Sequence, residues 1–507
     1  MRGFVGTHRD HSGIVHRVRR AIWSRGGPVG AFTILMAITF SVLILHKHTL
    51  FGTQVFDLGI FDQGVWLLSR FKTPFVTLRG LNLFADHSSW ILVLVAPLYW
   101  VWSDARVLLL LTVAAVTAGG PLVYAIARTE GIRKPLAAAL AVAYLLHPAV
   151  AWNVLDSFHP EVLAVPLLLA AYLFAGRRHL KLAGAALILA LVVKEDAALV
   201  VVPFALYLGW RFKAWRMSGV VITWGVLLFI FNFEYALPYF SPTGTLIYTS
   251  RYGDFGSGLP QIAWNVITSP GTVLSILATP TKLLYLAGMI LPLFLALLAP
   301  ELLLVAAPIT LANLLSLHAY QSDIQYHYTA YLLAVVALAA IHGAARTDRE
   351  RLTRFLGPSV VIGGILGMLL AGPLPTNQSD NPWYGTTSDP AAINKALTLI
   401  PDDAAVSADW FIGPHIDHRT VVYMYPNPFV RDYWSADAAA GPPIDGAEWV
   451  VMRAGTPGEF AENTLDALAI IEADPRWEQV VGNDAVLLYH RTSQITATEE
   501  QLRRAGG

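Results

Sequence analysis

The 507-residue chain contains no cysteine, and only 14% of its residues are charged. Without cysteine there is no disulfide, no zinc site with thiolate ligands and no thiol catalysis. Soluble globular proteins usually carry about 25% charged residues. This deficit, beside a hydrophobic content of 55%, argues against a soluble enzyme built around one large core.

The chain contains long apolar runs with few charged residues. The runs AFTILMAITFSVLIL (31–45) and ARVLLLLTVAAVTAGGPLVYAIA (105–127) approach or exceed the roughly 17–25 apolar residues that cross a bilayer. The stretch before the first run is long and basic, and no small-residue cleavage site follows that run. We therefore expect an uncleaved first span and a polytopic membrane protein.

The formal net charge of zero hides a split along the chain. Residues 374–507 contain 19 acidic and 8 basic side chains, a net charge of −11, so residues 1–373 carry +11. The cations of residues 1–373 cluster in short loops. Because short loops rich in Lys and Arg usually face the cytoplasm, this pattern indicates how the chain is oriented in the membrane and predicts that residues 1–27 are cytoplasmic. No basic stripe with interleaved aromatic residues is present, so nucleic-acid binding is not indicated.

Hydropathy and loop charge together predict a membrane all-α fold of about eleven transmembrane helices. The apolar run at 88–102 is only about 15 residues long and contains Pro97, which favours a juxtamembrane helix in the first outer loop. The predicted spans are residues 30–45, 105–127, 135–152, 162–176, 182–193, 197–210, 218–236, 283–299, 301–317, 329–345 and 355–373.

The fifth and sixth of these spans are short. Each has about 12–14 residues, or about 20 Å of helix, and cannot cross about 30 Å of hydrocarbon. Cations bracket the pair, so both of its ends are expected on the cytoplasmic side. Lys194, Glu195 and Asp196 are therefore predicted at the apex of the pair, in a cavity open to the outer side. Charged residues at such depth are costly and are candidates for function.

The composition changes at residue 374. A linker-like stretch, PLPTNQSDNPWYG (373–385), is followed by alternating helical and strand patterns such as INKALTLIPDDAAVSADWFIGPHI and AEWVVMRA. Because the last span leaves the remainder of the chain outside, residues 374–507 are predicted to form a small extracytoplasmic α/β domain.

With this topology, five polar clusters fall on the outer side, where random scatter would put about half of them inside. The clusters are Asp57/Asp62/Gln63, Asp86/His87, Asp156/His159/Glu161, Lys194/Glu195/Asp196 and His318/Asp323/Tyr326/His327/Tyr328.

Asp57 and Asp62 are the candidate catalytic residues. They are five positions apart and do not share a helix face, so one is expected to face the cavity while the other caps or pairs. A carboxylate beside an acceptor hydroxyl can take its proton during attack on an activated sugar carbon, which is the role considered for Asp57. Helix capping is the alternative.

The other clusters suggest ligand binding. Asp86 and Asp156 are candidate metal ligands, with helix capping as the alternative. Lys194 is suited to neutralise a lipid phosphate, unless it only forms a structural ion pair with Glu195 or Asp196. The candidate substrate-binding residues are Gln63, His87, His159, Glu161, Lys194, Glu195, Asp196, His327 and Tyr328.

Five stretches resemble a known family: FDLGIFDQGVW, ADHSSWILVLVAPLYW, SFHPEVLAVPLLL, VVKEDAAL and QYHYTA. They look like the domain-of-unknown-function 2079 family of bacterial multi-spanning proteins, over most of residues 50–340. The layout in turn resembles the GT-C glycosyltransferases. That resemblance implies a GT-C-like transmembrane domain at 28–373 and matches Asp57 to the catalytic acidic position. The adjacent acidic pair of many GT-C families is missing, which leaves the choice between Asp57 and Asp62 open.

The function that the resemblance implies is an inverting glycosyltransferase of the cell membrane. It would transfer a sugar from a polyprenyl-phosphate donor to an extracytoplasmic glycan, lipid or protein acceptor. A divalent cation, Mg²⁺ or Mn²⁺, is one option for the site, and metal-independent catalysis is the other. The alternative function is a non-enzymatic transporter or envelope assembly factor. A transporter should show paired repeats and ionisable residues near the middle of the membrane, whereas no repeats stand out here and the polar groups lie toward one face.

Overall fold

The computed structural model describes residues 27–246, 249–256, 258–347, 350–378, 381–387, 389–431, 433, 446–455 and 461–492. The predicted cytoplasmic segment at 1–27 lies outside these residues, apart from Gly27. Most of the described chain is helical, and a small sheet is formed near its C-terminal end.

Within the described residues, seven helices are long and apolar enough to cross a membrane. A helix satisfies its own backbone hydrogen bonds, which is why apolar runs of this length adopt it in lipid. Each of the seven corresponds to a predicted span, and the membrane all-α fold is confirmed. The seven are Gly27–Thr49, Arg106–Thr129, Lys134–Leu155, Trp215–Phe240, Pro280–Leu298, Ala319–Thr347 and Arg354–Ala371.

Shorter helices occupy the remaining four predicted spans. Three of them, Pro160–Gly176, Leu180–Leu191 and Pro300–Leu315, are predominantly apolar, and the fourth is Ala198–Phe212. The run predicted to be juxtamembrane forms the short helical segment Leu92–Val101. It consists of two four-residue turns, in keeping with its internal proline.

The predicted short helical pair is present. Leu180–Leu191 has 12 residues and Ala198–Phe212 has 15, about 18 and 22 Å of helix. The chain between them breaks at Lys194 and resumes as the 3₁₀ turn Glu195–Ala197. Lys194 and Glu195 are buried at this break, so charged side chains lie at the apex as the run lengths required.

The segment between the first two spans, residues 50–105, folds into compact local structure and is called the first outer loop below, after its predicted side of the membrane. The π-helical turn Val55–Gly59 leads into the helix Ile60–Ser69. A two-stranded antiparallel hairpin follows, with β1 at Phe75–Val76 and β2 at Leu81–Asn82, and then the turn Leu83–Asp86.

The C-terminal part of the chain forms the predicted small α/β domain. Its sheet has the strand order β4-β3-β5-β7-β6, with β3 parallel to β4 and β5, and β7 antiparallel to β5 and β6. The helices Pro390–Leu397 and Ala461–Ala473 accompany the sheet. The strands are β3 Val406–Ala408, β4 Val422–Met424, β5 Trp449–Arg453, β6 Trp477–Gly482 and β7 Val486–Arg491.

This sheet domain contacts the first outer loop directly. The Thr77 hydroxyl donates to the Val422 carbonyl at 2.6 Å and accepts from the Val422 backbone N–H at 2.9 Å. Gln63 Nε2 donates to the Arg419 carbonyl at 3.2 Å. Each of these bonds joins residues about 350 positions apart, so the sheet domain and the first outer loop form one interface.

The other short segments are the turns Asn232–Ala236, Leu237–Phe240, Thr249–Phe255, Leu304–Ala306, Ala319–Ser322, His327–Thr329 and Gly413–His415, and the helices Leu259–Thr268, Pro270–Leu277 and Ala307–Leu315. The long continuous helices of the last two spans are Ala330–Thr347 and Glu350–Ala371.

Candidate functional site

A chain of carboxylates and imidazoles joins the first outer loop to two spans. Asp57, in the π-helical turn, has its Oδ1 3.2 Å from His159 Nε2. The other ring nitrogen of His159 lies 3.7 Å from Asp156 Oδ2. That oxygen accepts from the backbone N–H of His327 at 2.7 Å and lies 2.9 Å from His327 Nδ1. The two imidazoles stack with centroids 3.5 Å apart.

The segment LDSFHPE (155–161) explains this geometry locally. The helix Pro148–Leu155 ends at Asp156, and Ser157 follows with φ of +67°. His159 is extended because it precedes Pro160, and a residue before proline is pushed out of the helical region. The turn therefore directs Asp156 and His159 towards the same space.

The chain of contacts continues into the span region. Glu161 Oε1 lies 3.6 Å from His327 Nε2 and 2.5 Å from Lys194 Nζ. The Lys194 ammonium also lies over the Tyr328 ring, 5.3 Å from its centroid. The Glu161 carboxylate and the face of the Tyr328 ring offset the free-energy cost of burying the Lys194 charge. The group formed by Asp57, Asp156, His159, Glu161, Lys194 and His327 is called the central cluster below.

Glu195 and Asp196 make separate contacts around the central cluster. Glu195 accepts from the Ser88 backbone N–H at 3.0 Å and lies 2.9 Å from His87 Nδ1. The Tyr331 hydroxyl donates to Asp196 at 3.2 Å. These bonds attach the juxtamembrane segment to the apex of the short helical pair, so Glu195 and His87 hold two elements together.

The two candidate metal ligands of the sequence analysis have different partners. Asp86 Oδ1 lies 3.3 Å from Arg79 Nε in a buried ion pair, whereas Asp156 contacts His159 and His327. The histidines, rather than Asp86, are therefore the neighbours of Asp156 that could join it in binding a metal. Their ligand atoms lie within 4.8 Å of one another.

A cavity of about 270 Å³ opens beside the central cluster. The side chain of Asp57 is 22% exposed, which makes it the accessible carboxylate there. The wall also contains a cation that the sequence analysis did not single out, Lys47. The lining residues are Lys47, Gly52, Gln54, Asp57, Trp152, Leu155, Asp156, Ser157, Gln325, Tyr326, Gln378 and Pro382.

A signal for Lys47 was present in the sequence. The first span ends in His46, Lys47 and His48, on the side where the charge rule expects few cations. An ammonium group at that position departs from the rule and marks a candidate for binding. In the structure Lys47 Nζ donates to the Leu155 carbonyl at 3.4 Å, next to Asp156.

Asp62 and Gln63 do not line this cavity and face the sheet domain instead. Asp62 is fully buried, accepts from the Tyr99 hydroxyl, and has its Oδ2 3.0 Å from His418 Nε2. Gln63 bonds to Thr77 as well as to the Arg419 carbonyl. Asp57 therefore lies at the cavity, whereas Asp62 lies against the sheet domain.

The charges around Asp62 perturb one another. Burial disfavours the protonated imidazole of His418, but the adjacent Asp62 carboxylate outweighs this effect and raises the pKa of His418. Burial, followed by the negative charge of Asp62, raises the pKa of the Asp417 carboxyl well above its ordinary value. Two buried carboxyl groups of this kind do not both ionise without a nearby cation.

Together, the fold and these contacts define a polytopic membrane protein with a polar cluster beside an attached sheet domain. A family model described as "Predicted membrane protein (DUF2079)" matches residues 47–482. That range spans most of the chain, and the chain belongs to this family.

Other comparisons add little about chemistry. A search among curated proteins finds no match. Among solved structures, the crystal structure of ArnT from Cupriavidus metallidurans bound to undecaprenyl phosphate is similar over 91% of this chain and 98% of that chain. The identity is 12% and the TM-score 0.43, values too low to say anything about the activity of this chain.

Proposed function

We propose that the chain is a membrane glycosyltransferase that takes a sugar from a polyprenyl-phosphate donor and transfers it to an extracytoplasmic acceptor. The observation that carries the proposal is Asp57, an accessible carboxylate in the wall of a cavity that also presents the cation Lys47. A base and a phosphate-binding cation in one polar cavity are what transfer from a lipid phosphate needs.

Asp57 acts as the general base in this proposal. Its carboxylate accepts the proton of the acceptor hydroxyl while that oxygen bonds to the anomeric carbon of the sugar. The bond between the anomeric carbon and the phosphate oxygen breaks on the opposite face, and the lipid phosphate leaves with the electron pair. The configuration at the sugar carbon is inverted. His159, 3.2 Å from Asp57, is a positioning residue for the base.

Lys47 is the proposed partner of the donor phosphate. The sequence analysis gave this role to Lys194, but Lys194 is buried and engaged by Glu161 at 2.5 Å. Removing Lys194 from that carboxylate would leave a buried charge without its partner, which costs several kcal/mol. Lys47 lines the cavity and makes one long bond to a backbone carbonyl, so its ammonium has donors left for a phosphate.

The membrane orientation belongs to the same proposal. The central cluster and the sheet domain of residues 374–507 lie outside the cytoplasm, and the basic N-terminus lies inside. A lipid-linked sugar then reaches the cavity from the outer leaflet, and the sheet domain, which packs on the first outer loop through Thr77 and Gln63, contributes to acceptor binding.

The proposal is tested with Asp57→Asn in purified, full-length protein reconstituted into vesicles. A panel of radiolabelled polyprenyl-monophosphate sugars is supplied with envelope extract as acceptor, and transfer of label is counted. Loss of the base should lower the transfer rate by about 10²–10⁴-fold. Binding of polyprenyl phosphate should change little, because the phosphate contact is made elsewhere.

Asp484→Asn is the matched control. Asp484 is an exposed carboxylate of the sheet domain, and it is remote in the sequence from the residues that line the cavity. This variant should transfer label at the wild-type rate. The proposal fails if the wild-type protein transfers label from no member of the panel. It also fails if Asp57→Asn is as active as the control.

A further inference from the structure

A second set of ligand-type side chains lies between the first outer loop and the sheet domain. Asp62, Asp417 and His418, called the interdomain triad below, each offer an atom within 4.8 Å of the atoms of the other two. Asp62 is 0% exposed and Asp417 2% exposed. Asp62 comes from the helix Ile60–Ser69, and the other two precede β4.

The atoms that face one another in the interdomain triad lack hydrogen bonds. Among the described residues, no hydrogen-bond partner is found for Asp62 Oδ2, Asp417 Oδ2 or His418 Nε2. Asp62 Oδ2 and His418 Nε2 face each other as an ion pair at 3.0 Å, and the Asp417 carboxyl offers an oxygen within 4.8 Å of both. Buried polar atoms normally have hydrogen-bond partners, and a bound ion is one of the ordinary reasons when they do not.

The outer atoms of the same side chains are held by neighbours. The Tyr99 hydroxyl donates to the other oxygen of Asp62, and His418 Nδ1 lies 3.2 Å from Ser103 Oγ. When Nδ1 donates its hydrogen to Ser103 Oγ, the lone pair of Nε2 is directed at the carboxylates, which is the arrangement of a metal-ligating histidine with its supporting partner. Both supports come from the juxtamembrane region before Arg106.

The central cluster offers a contrast. Its Asp156 Oδ2 already receives the backbone N–H of His327 and lies 2.9 Å from the ring of that residue. An ion there would have to displace these contacts. In the interdomain triad, by comparison, an ion would satisfy three facing atoms at once and neutralise two carboxylates that repel each other.

We propose that the interdomain triad binds one divalent transition-metal ion that joins the first outer loop to the sheet domain. Two carboxylates and an imidazole suit Zn²⁺, with Mn²⁺ as the competitor, whereas Ca²⁺ and Mg²⁺ prefer oxygen donors alone. His418 is 25% exposed at its side chain and gives the ion a path from solvent. This role is independent of the glycosyl transfer proposed above.

The test measures metal in the full-length protein purified in detergent. After chelation and dialysis, ZnCl₂ is titrated calorimetrically and the retained zinc is counted by mass spectrometry. We expect about one ion per wild-type chain and a rise in Tm on binding. Asp417→Asn and His418→Gln should weaken Zn²⁺ binding at least about 100-fold, since loss of a supporting residue alone costs 10–100-fold.

His327→Gln is the matched control, because it removes one imidazole from the other group with metal-ligand geometry. It should retain the ion. Equal zinc content in wild type and Asp417→Asn would overturn the proposal, as would loss of zinc in His327→Gln alone. Because His418 is partly exposed, His418→Gln should fold even if Asp417→Asn does not, and its unchanged zinc affinity would be equally decisive.

Discussion

Lys47 illustrates how one side chain gains its role from its surroundings. It lies in the last turn of the helix Gly27–Thr49, and hydropathy treats it only as the end of that span. In the structure it lines the same cavity as Asp57 and Asp156. The ammonium group of Lys47 is the positive charge in this wall with which a lipid phosphate can pair.

Replacing this cation gives the first prediction at the residue scale. Lys47→Ala should weaken the binding of polyprenyl phosphate by about 10–100-fold, because a hydrogen bond to a charged group contributes about 1.5–3 kcal/mol. Equilibrium binding of radiolabelled polyprenyl phosphate to the purified protein measures the change. Lys181→Ala, at an exposed cation on the helix Leu180–Leu191, should bind as the wild type does. Equal affinities in all three proteins would contradict the assignment.

Lys194 shows what residue-level reasoning left open. Its alternatives were a phosphate contact or an ion pair with Glu195 or Asp196, its chain neighbours. The partner is instead Glu161, 33 positions away, at 2.5 Å. The depth of the charge was predictable from the lengths of the flanking apolar runs. The identity of the partner was not, because it depends on where another helix begins.

At the scale of elements, the closest helix contact involves a glycine. In the helix Ala330–Thr347, a side chain on Gly343 would place its Cβ 1.8 Å from the Leu295 carbonyl oxygen of the segment Leu291–Leu298. Small residues let membrane helices approach each other this closely. Because the hydrophobic effect does not favour contact between two helices that already lie in lipid, close packing is one of the interactions that hold them together.

Gly343→Val should therefore destabilise the protein strongly. Overpacking commonly costs about 1–3 kcal/mol, and here the obstacle is a backbone atom that cannot rotate away. A lower Tm in detergent, or loss of the monodisperse species on size exclusion, measures the effect. Gly219→Val is the control, because nothing lies within 4 Å of the corresponding position. A variant at Gly343 as stable as this control would show that the two segments can separate.

The short helical pair is the element for which sequence reasoning was most informative. Helices of 12 and 15 residues follow from two apolar runs divided by three charged residues. A helix rises about 1.5 Å per residue, so neither run reaches across the hydrocarbon. The same arithmetic separated the juxtamembrane segment Leu92–Val101 from the true spans.

At the scale of the whole molecule, the orientation of the bundle decides whether the cavity opens to the outside. The chain has no cysteine, so single cysteines report sidedness without background. Asp484→Cys, in the sheet domain, should react with an impermeant maleimide in intact cells. Lys181→Cys should react only after permeabilisation. Both positions are exposed to solvent or the bilayer surface. The reverse pattern would place the cavity on the cytoplasmic side.

The sequence by itself determined the membrane class, the spans, the juxtamembrane segment, the small α/β domain and the deep charges at residues 194–196. All of these depend on local composition and run length. In a bilayer, the thickness of the hydrocarbon sets how long an apolar helix must be to span it, and the loop charges set its orientation. The sequence also named Asp57 and Asp62 as the candidate catalytic residues and left the choice between them open.

Only the tertiary structure decided which polar residues meet. Asp57 reaches His159 across 102 positions of the chain, and Asp62 contacts His418, which is also remote from it in the sequence. Such contacts depend on how helices pack and where the sheet domain attaches. No local pattern encodes them, because the free energy of each contact arises only after the intervening chain has folded.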